Sequence, residues 1–193
     1  MDLKKTHRPT ILFIQGAGEG AYAEDQKLVL SLQNALGAGY NVRYPKMPED
    51  APDYEPWKEQ IAQELAALAE GVLLAAHSAG GSILLRYLSE EKLPKPIVGL
   101  FLIAPPYFGT GGWNADGWNI PELVLQKNFA SQITEAVPVF FYHSRHDAAV
   151  PFEHLGLYRN QLPQATFREF DGRGHQFDND LTEVARDIKN LSG

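Results

Sequence analysis

The sequence predicts an α/β protein, a three-layer α/β/α sandwich in which helices cover both faces of a parallel sheet. Two observations predict it. Strand-like and helix-like stretches alternate along the chain, and several of the strand-like runs are apolar without a break, as strands buried on both faces are. No repeat, low-complexity tract or linker divides the 193 residues, so a single domain over 1–193 is expected.

Each element follows from its local chemistry. Thr10 to Gln15 is the first strand, and it runs into Gly16-Ala17-Gly18-Glu19-Gly20. That loop lacks a P-loop lysine and its glycines miss the dinucleotide spacing, so no nucleotide site is expected. Leu28, Leu32, Ala35 and Leu36 share a helical face that Gly37 and Gly39 end. Tyr40 to Tyr44 is a short second strand, and Pro45, Pro48, Pro52 and Pro56 mark an irregular loop after it. Asp53 is suited to cap a helix that begins near Pro56 and carries Trp57, Ile61, Leu65 and Leu68 at helical spacing until Gly71. Val72 to Ala76 is the third strand, and Ser82 to Leu88 a largely apolar helix that Pro94 and Pro96 bring to an end. Ile97 to Ala104 is the fourth strand. A long aromatic loop with Tyr107, Phe108, Trp113 and Trp118 follows, and helix signals resume at Asn119 and carry through Leu123, Leu125, Phe129 and Ile133. Val137 to Tyr142 reads as a strand, Pro151 to Leu162 as a helix, Ala165 to Phe170 as a strand, and Leu181, Val184, Ile188 and Leu191 as a closing helical stripe.

Composition excludes several classes of function. With 17 Lys and Arg against 24 Asp and Glu the formal charge is −7, which argues against nucleic acid or an anionic membrane as partner. The chain has no cysteine, so disulfides, a thiolate nucleophile and Cys-based zinc sites are ruled out. No apolar stretch reaches the ~18 residues of a membrane span, and the N-terminus lacks a signal-peptide pattern. A soluble, cytoplasmic protein is expected.

Ligands of such sheets bind beyond the carboxyl ends of the strands, so the loops after Gln15, His77, Ala104, Tyr142 and Phe170 share one rim. On that rim an apolar run ends in Ala76-His77-Ser78-Ala79-Gly80-Gly81. A serine on a sharp strand-to-helix turn projects its hydroxyl beside a helix N-terminus, and small neighbours let the turn close. This is the G-x-S-x-G nucleophile elbow, with Ala76 in place of the first glycine. Serine needs a base, and the base needs a carboxylate. Asp147 follows the fifth strand in His143-Ser144-Arg145-His146-Asp147, and His175 follows the sixth in Asp171-Gly172-Arg173-Gly174-His175.

The order Ser78, Asp147, His175, together with Asp147-x-x-Val150-Pro151 and Gly174-His175, resembles the α/β-hydrolase superfamily from Thr10 to about Leu191. In length and in having no large lid the chain is similar to the small serine hydrolases related to the retinoblastoma-binding hydrolase. The resemblance implies six strands in the spatial order 2-1-3-4-5-6. It also implies an oxyanion hole formed by the amide of Ala79, which follows the nucleophile, and by that of Ala17. Family members often have His-Gly where this chain has Gln15-Gly16.

Plainer readings stand beside these. Ser78 could be a helix N-cap and His175 an ornament of a glycine-rich turn. Asp171, Asp178 and Asp180 compete with Asp147 as the acid, although they suit turn or helix-start roles. His77, His143 and His146 lie near the rim, but no His-x3-His pair with a carboxylate on a common helix marks a metal site, and His77 is expected to pack beneath the elbow. Tyr107, Phe108, Trp113 and Trp118 are either loop-covering core or an acyl-substrate pocket. The expected function is hydrolysis of a small ester or related acyl compound through an acyl-enzyme, with no cofactor and no metal. The alternatives are a non-catalytic binding or scaffolding module on the same fold, and a lyase or transferase using the same triad.

Overall fold

In the computed structural model, residues 8–48, 53–68, 71–91, 96–113, 120–126, 129–134 and 137–192 are described. Six strands, β1 (Thr10–Ile14), β2 (Asn41–Arg43), β3 (Val72–His77), β4 (Ile97–Ile103), β5 (Val139–Ser144) and β6 (Thr166–Phe170), form one all-parallel sheet in the order β2-β1-β3-β4-β5-β6. The helices are α1 (Ala21–Leu36), α2 (Tyr54–Ala67), α3 (Ser78–Glu90), α4 (Phe129–Thr134), α5 (Glu153–Gln161) and α6 (Thr182–Ser192). The fold is the α/β-hydrolase-like sandwich that the sequence predicts.

Period-two alternation sorts each strand's side chains into two cores. Ile11 and Phe13 of β1, Leu73 and Ala75 of β3, and Phe101 and Ile103 of β4 meet Leu28 and Leu32 of α1 and Val184 and Ile188 of α6. Leu12, Ile14, Leu74, Ala76, Leu100 and Leu102 point the other way, onto Trp57 and Ile61 of α2, Ile83 and Leu84 of α3, Phe129 of α4 and Leu155 of α5. The central strands β1 and β3 are buried along their length past the first residue of β1, which is why their sequences run apolar without a break.

Several local expectations are corrected. Asp53 precedes α2 but its side chain makes no capping bond, and α2 starts at Tyr54, with Pro56 in its first turn. The helix after β3 begins at Ser78 itself. The stretch read as one helix through Leu123, Leu125, Phe129 and Ile133 holds two short pieces, a 3-10 turn at Pro121–Leu123 and α4. Pro94, Trp118 and Asn119 lie outside the described residues.

Two close approaches hold the rim. A Cβ on Gly80, in the first turn of α3, would lie 1.9 Å from the carbonyl oxygen of Gln15 at the end of β1. One on Gly81 would lie 3.0 Å from Pro105, just after β4. The paired glycines therefore let α3 start flush against the ends of both strands that flank β3. The loop after β4 is held in turn by α3 and α5: the hydroxyls of Ser82 and Tyr158 both donate to the carbonyl of Pro106, and the amide of Tyr107 donates to Nδ1 of His154 at 2.9 Å.

His154 must leave Nδ1 unprotonated to accept that bond. Burial is the main cause that lowers its pKa, to about 4, with the nearby His143 acting in the same direction.

Two predictions follow from these contacts. Gly80→Ala destabilises the fold by about 3 kcal/mol or more in urea titration, whereas Gly156→Ala, in α5 with open space around the new methyl, stabilises it by roughly 0.5–1 kcal/mol. In an unfolded chain His154 binds its proton near the usual 6.5, so stability that is present above that value is lost as pH falls from 6.5 to about 4. His154→Asn, whose Oδ1 takes the place of Nδ1 and can still accept from Tyr107, flattens that fall in a Tm-against-pH series.

Candidate active site

Ser78 sits where β3 turns into α3, and its φ of 52° places it in the left-handed region that β-carbon-bearing residues avoid. Such a backbone is retained only where the surroundings impose it. Here Gly16 makes room for it, since a Cβ there would come within 3.2 Å of the Ser78 Cβ, and Gly80 and Gly81 let the helix that follows start against Gln15 and Pro105. The hydroxyl lies 3.0 Å from Nε2 of His175, and Nδ1 of His175 lies 2.8 Å from Oδ2 of Asp147. Three loops, after β3, β5 and β6, thus bring Ser78, His175 and Asp147 into one hydrogen-bonded line.

Asp147 is held by its own loop as well as by His175. Its Oδ1 accepts the amides of Ala149 and Val150, both at 2.8 Å, and its own amide donates to the carbonyl of Ser144. Burial acts to raise its pKa. The hydrogen bond from His175, the attraction between the two groups and the two amides outweigh that, and hold it below the usual carboxylate value. Of the competing acids, Asp180 caps the start of α6 through Thr182, and Asp171 faces Arg145 on the surface. Neither is paired with His175.

The histidine loop is braced from both ends. Ser144 donates its hydroxyl to the carbonyl of Arg173, and the amide of Gly172 donates to Nδ1 of His146 at 3.0 Å. Beyond it, Phe177, Asp178 and Asn179 all have positive φ, a left-handed turn pinned by the buried ring of Phe177 and by amide bonds to Gly174, Gln176 and Phe177.

The remaining candidates divide. Ala79 is buried directly after Ser78, and Ala17 is half-buried in the loop after β1. Gln15, at the position where the family often has histidine, is fully buried and ties that loop down by accepting the amide of Met47 and donating to the carbonyl of Gly16. Phe108 is a core side chain at 1% exposure, packed edge-on against Trp113, while Trp113 and Tyr107 are only partly buried. Trp113 also meets the ring of His154. His143 is buried behind Asp147, with Nε2 donating to the carbonyl of Val150 at 3.0 Å, and burial lowers its pKa. Among the described residues no group of three His, Asp or Glu side chains could hold a metal ion, and no helix is long and apolar enough to cross a membrane.

His77 does pack beneath the elbow, but sequence reasoning missed its partner. Asp25 of α1 is fully buried, with Nδ1 of His77 at 2.9 and 3.0 Å from its two oxygens. One signal was available: Asp25 occupies the same helical stripe as Leu28, Leu32 and Leu36, where an apolar residue is expected.

Solved structures match the whole architecture. The ydeN gene product of B. subtilis superposes with a TM-score of 0.69 at 19% identity, covering 95% of this chain and 98% of its own. Est1E from Butyrivibrio proteoclasticus, solved with ferulic acid bound, gives 0.70 at 18% identity over 98% and 90% of the two chains. The serine hydrolase CCSP0084 of Cycloclasticus zankles gives 0.71 at 15% identity over 95% and 89%. No curated protein matches the sequence. The family model described as serine hydrolase matches residues 25–180, and the chain therefore belongs to the serine hydrolase family.

Proposed function

We propose that the protein is a carboxylesterase-type serine hydrolase that cleaves a small ester through an acyl-enzyme, with Ser78 as nucleophile, His175 as base and Asp147 as its orienting carboxylate. The observation that carries the reading is the His175 ring, hydrogen-bonded to Asp147 at Nδ1 and to Ser78 at Nε2. Because the carboxylate accepts from Nδ1–H, Nε2 is left as the acceptor of the serine proton.

In the reaction, Ser78 Oγ attacks the ester carbonyl while its proton passes to His175 Nε2. The oxyanion that forms is held by the amides of Ala79 and Ala17, each such donor typically worth ~3 kcal/mol. The carbon–oxygen bond to the leaving alcohol then breaks, and His175 returns the proton to that alcohol. Water repeats the sequence on the acyl-enzyme, releasing the acid and restoring Ser78. No step calls on a cofactor. Tyr107 and Trp113, on the loop after β4, are the proposed acyl contacts. The aromatic ligand of Est1E supports including aromatic acyl esters beside short-chain ones in a substrate screen. A negative charge of −7 fits a small-molecule substrate better than nucleic acid.

Fluorophosphonate labelling followed by peptide mass spectrometry tests the reading. Ser78 is the labelled residue, and Ser78→Ala and His175→Ala abolish labelling while leaving the fold intact. On p-nitrophenyl acetate, Asp147→Asn lowers kcat by about 10³–10⁴-fold. Its carbonyl can still accept the Ala149 and Val150 amides, but its NH₂ group then faces Nδ1 and drives the proton of His175 onto Nε2, the wrong tautomer. A folded wild-type protein that stays unlabelled overturns the proposal.

A further inference from the structure

Beneath the proposed triad lies a second acid–histidine pair that takes no part in the steps above. His77 closes β3 and is 1% exposed; Asp25, on α1, is 0% exposed. The Nε2 of His77 is 3.1 Å from the main-chain carbonyl oxygen of His175. A carbonyl only accepts, so Nε2 carries a hydrogen. On the other side, Nδ1 faces both oxygens of Asp25. That carboxylate already accepts the amide of Gly16 at 2.7 Å and Nε2 of Gln176 at 3.2 Å. A bare Nδ1 there would set a lone pair against an anion, so Nδ1 carries a hydrogen too.

We infer that His77 is held as an imidazolium by Asp25, and that this buried ion pair positions the catalytic loops, resting on the triad reading given above. The pair grips three segments at once. Gly16 precedes Ala17, the proposed oxyanion donor; His77 precedes the nucleophile; the His175 carbonyl and Gln176 belong to the loop of the base. Its grip also explains why a charged pair is kept where apolar packing would be cheaper. The groups facing His77 are Asp25 from α1, the ring of His175 at 4.7 Å, and Asp147 farther off. Burial opposes both charges, but the mutual attraction and hydrogen bonds outweigh it, raising the pKa of His77 and lowering that of Asp25.

Neither residue touches substrate, so both are positioning residues. His77→Gln has one carboxamide and cannot span Asp25 and the His175 carbonyl together. It lowers kcat on p-nitrophenyl acetate about 10²-fold, as misplacement of a base does, with KM changed less than about threefold. Asp25→Asn, which keeps the shape but not the charge, lowers kcat about tenfold. The double variant, with no buried charge left unpaired, is no worse than His77→Gln alone, because the two act as one unit. In the wild type, ¹⁵N-edited NMR at pH 7 finds hydrogens on both ring nitrogens of His77.

A bare nitrogen on His77, a wild-type kcat in folded His77→Gln or the double variant, or a loss confined to KM overturns the inference while Ser78 is labelled. Absence of Ser78 labelling in the wild type instead overturns the triad reading beneath it.

Discussion

No side chain fits between the first turn of α3 and the carbonyl of Gln15. That exclusion is the constraint on which the rest of the rim depends. Gly80 and Gly81 let α3 begin against the ends of β1 and β4, and the chain makes the turn from β3 into α3 in a single left-handed residue, Ser78. The parallel sheet does the remaining work. It delivers the loops after β1, β3, β5 and β6 to the same edge, so residues far apart in sequence meet there without any long connection having to be ordered for the purpose.

Four histidines near this edge show how burial alone fails to set their chemistry. In His143 and His154 burial prevails and holds the ring neutral: the carbonyl that accepts from His143 works against burial without outweighing it, and an amide occupies the lone pair of His154. His77 is as deeply buried, yet a carboxylate and a carbonyl face its two nitrogens. His175 keeps partial exposure, with a donor on one nitrogen and an acceptor on the other. Burial keeps a ring neutral unless a buried carboxylate faces it, as Asp25 faces His77.

Much of this was legible in the sequence. The apolar runs within Thr10 to Gln15 and Val72 to Ala76 give the buried centre of the sheet, because strands covered on both faces have no polar side to display. The residues that form the hydrogen-bonded line were legible because each stands at or within five residues of the end of a strand, in a turn-forming context. What the sequence hid depends on packing between distant segments. The region around Leu123 and Phe129 has apolar residues at helical spacing, but they are buried from two separate short turns. Phe108 is indistinguishable by type from its loop neighbours and turns inward because Gly112 lets the chain fold back to pair Phe108 with Trp113. Asp25 stands out in the sequence only by its place on the apolar stripe of α1, and its partner, His77, comes from β3, 52 residues away.

The backbone at Ser78 also restricts which amino acid can hold the hydroxyl. Threonine carries the same functional group, and its extra methyl would be chemically idle in an acyl transfer. At a φ of 52°, however, a β-branched side chain collides with its own main chain, so threonine is refused on steric grounds before reactivity is in question. Cysteine, unbranched at Cβ, meets no such objection. The geometry of one dihedral angle thus narrows the repertoire of nucleophiles open to this fold, and leaves sulfur, rather than a secondary alcohol, as the neighbouring chemistry within a single substitution.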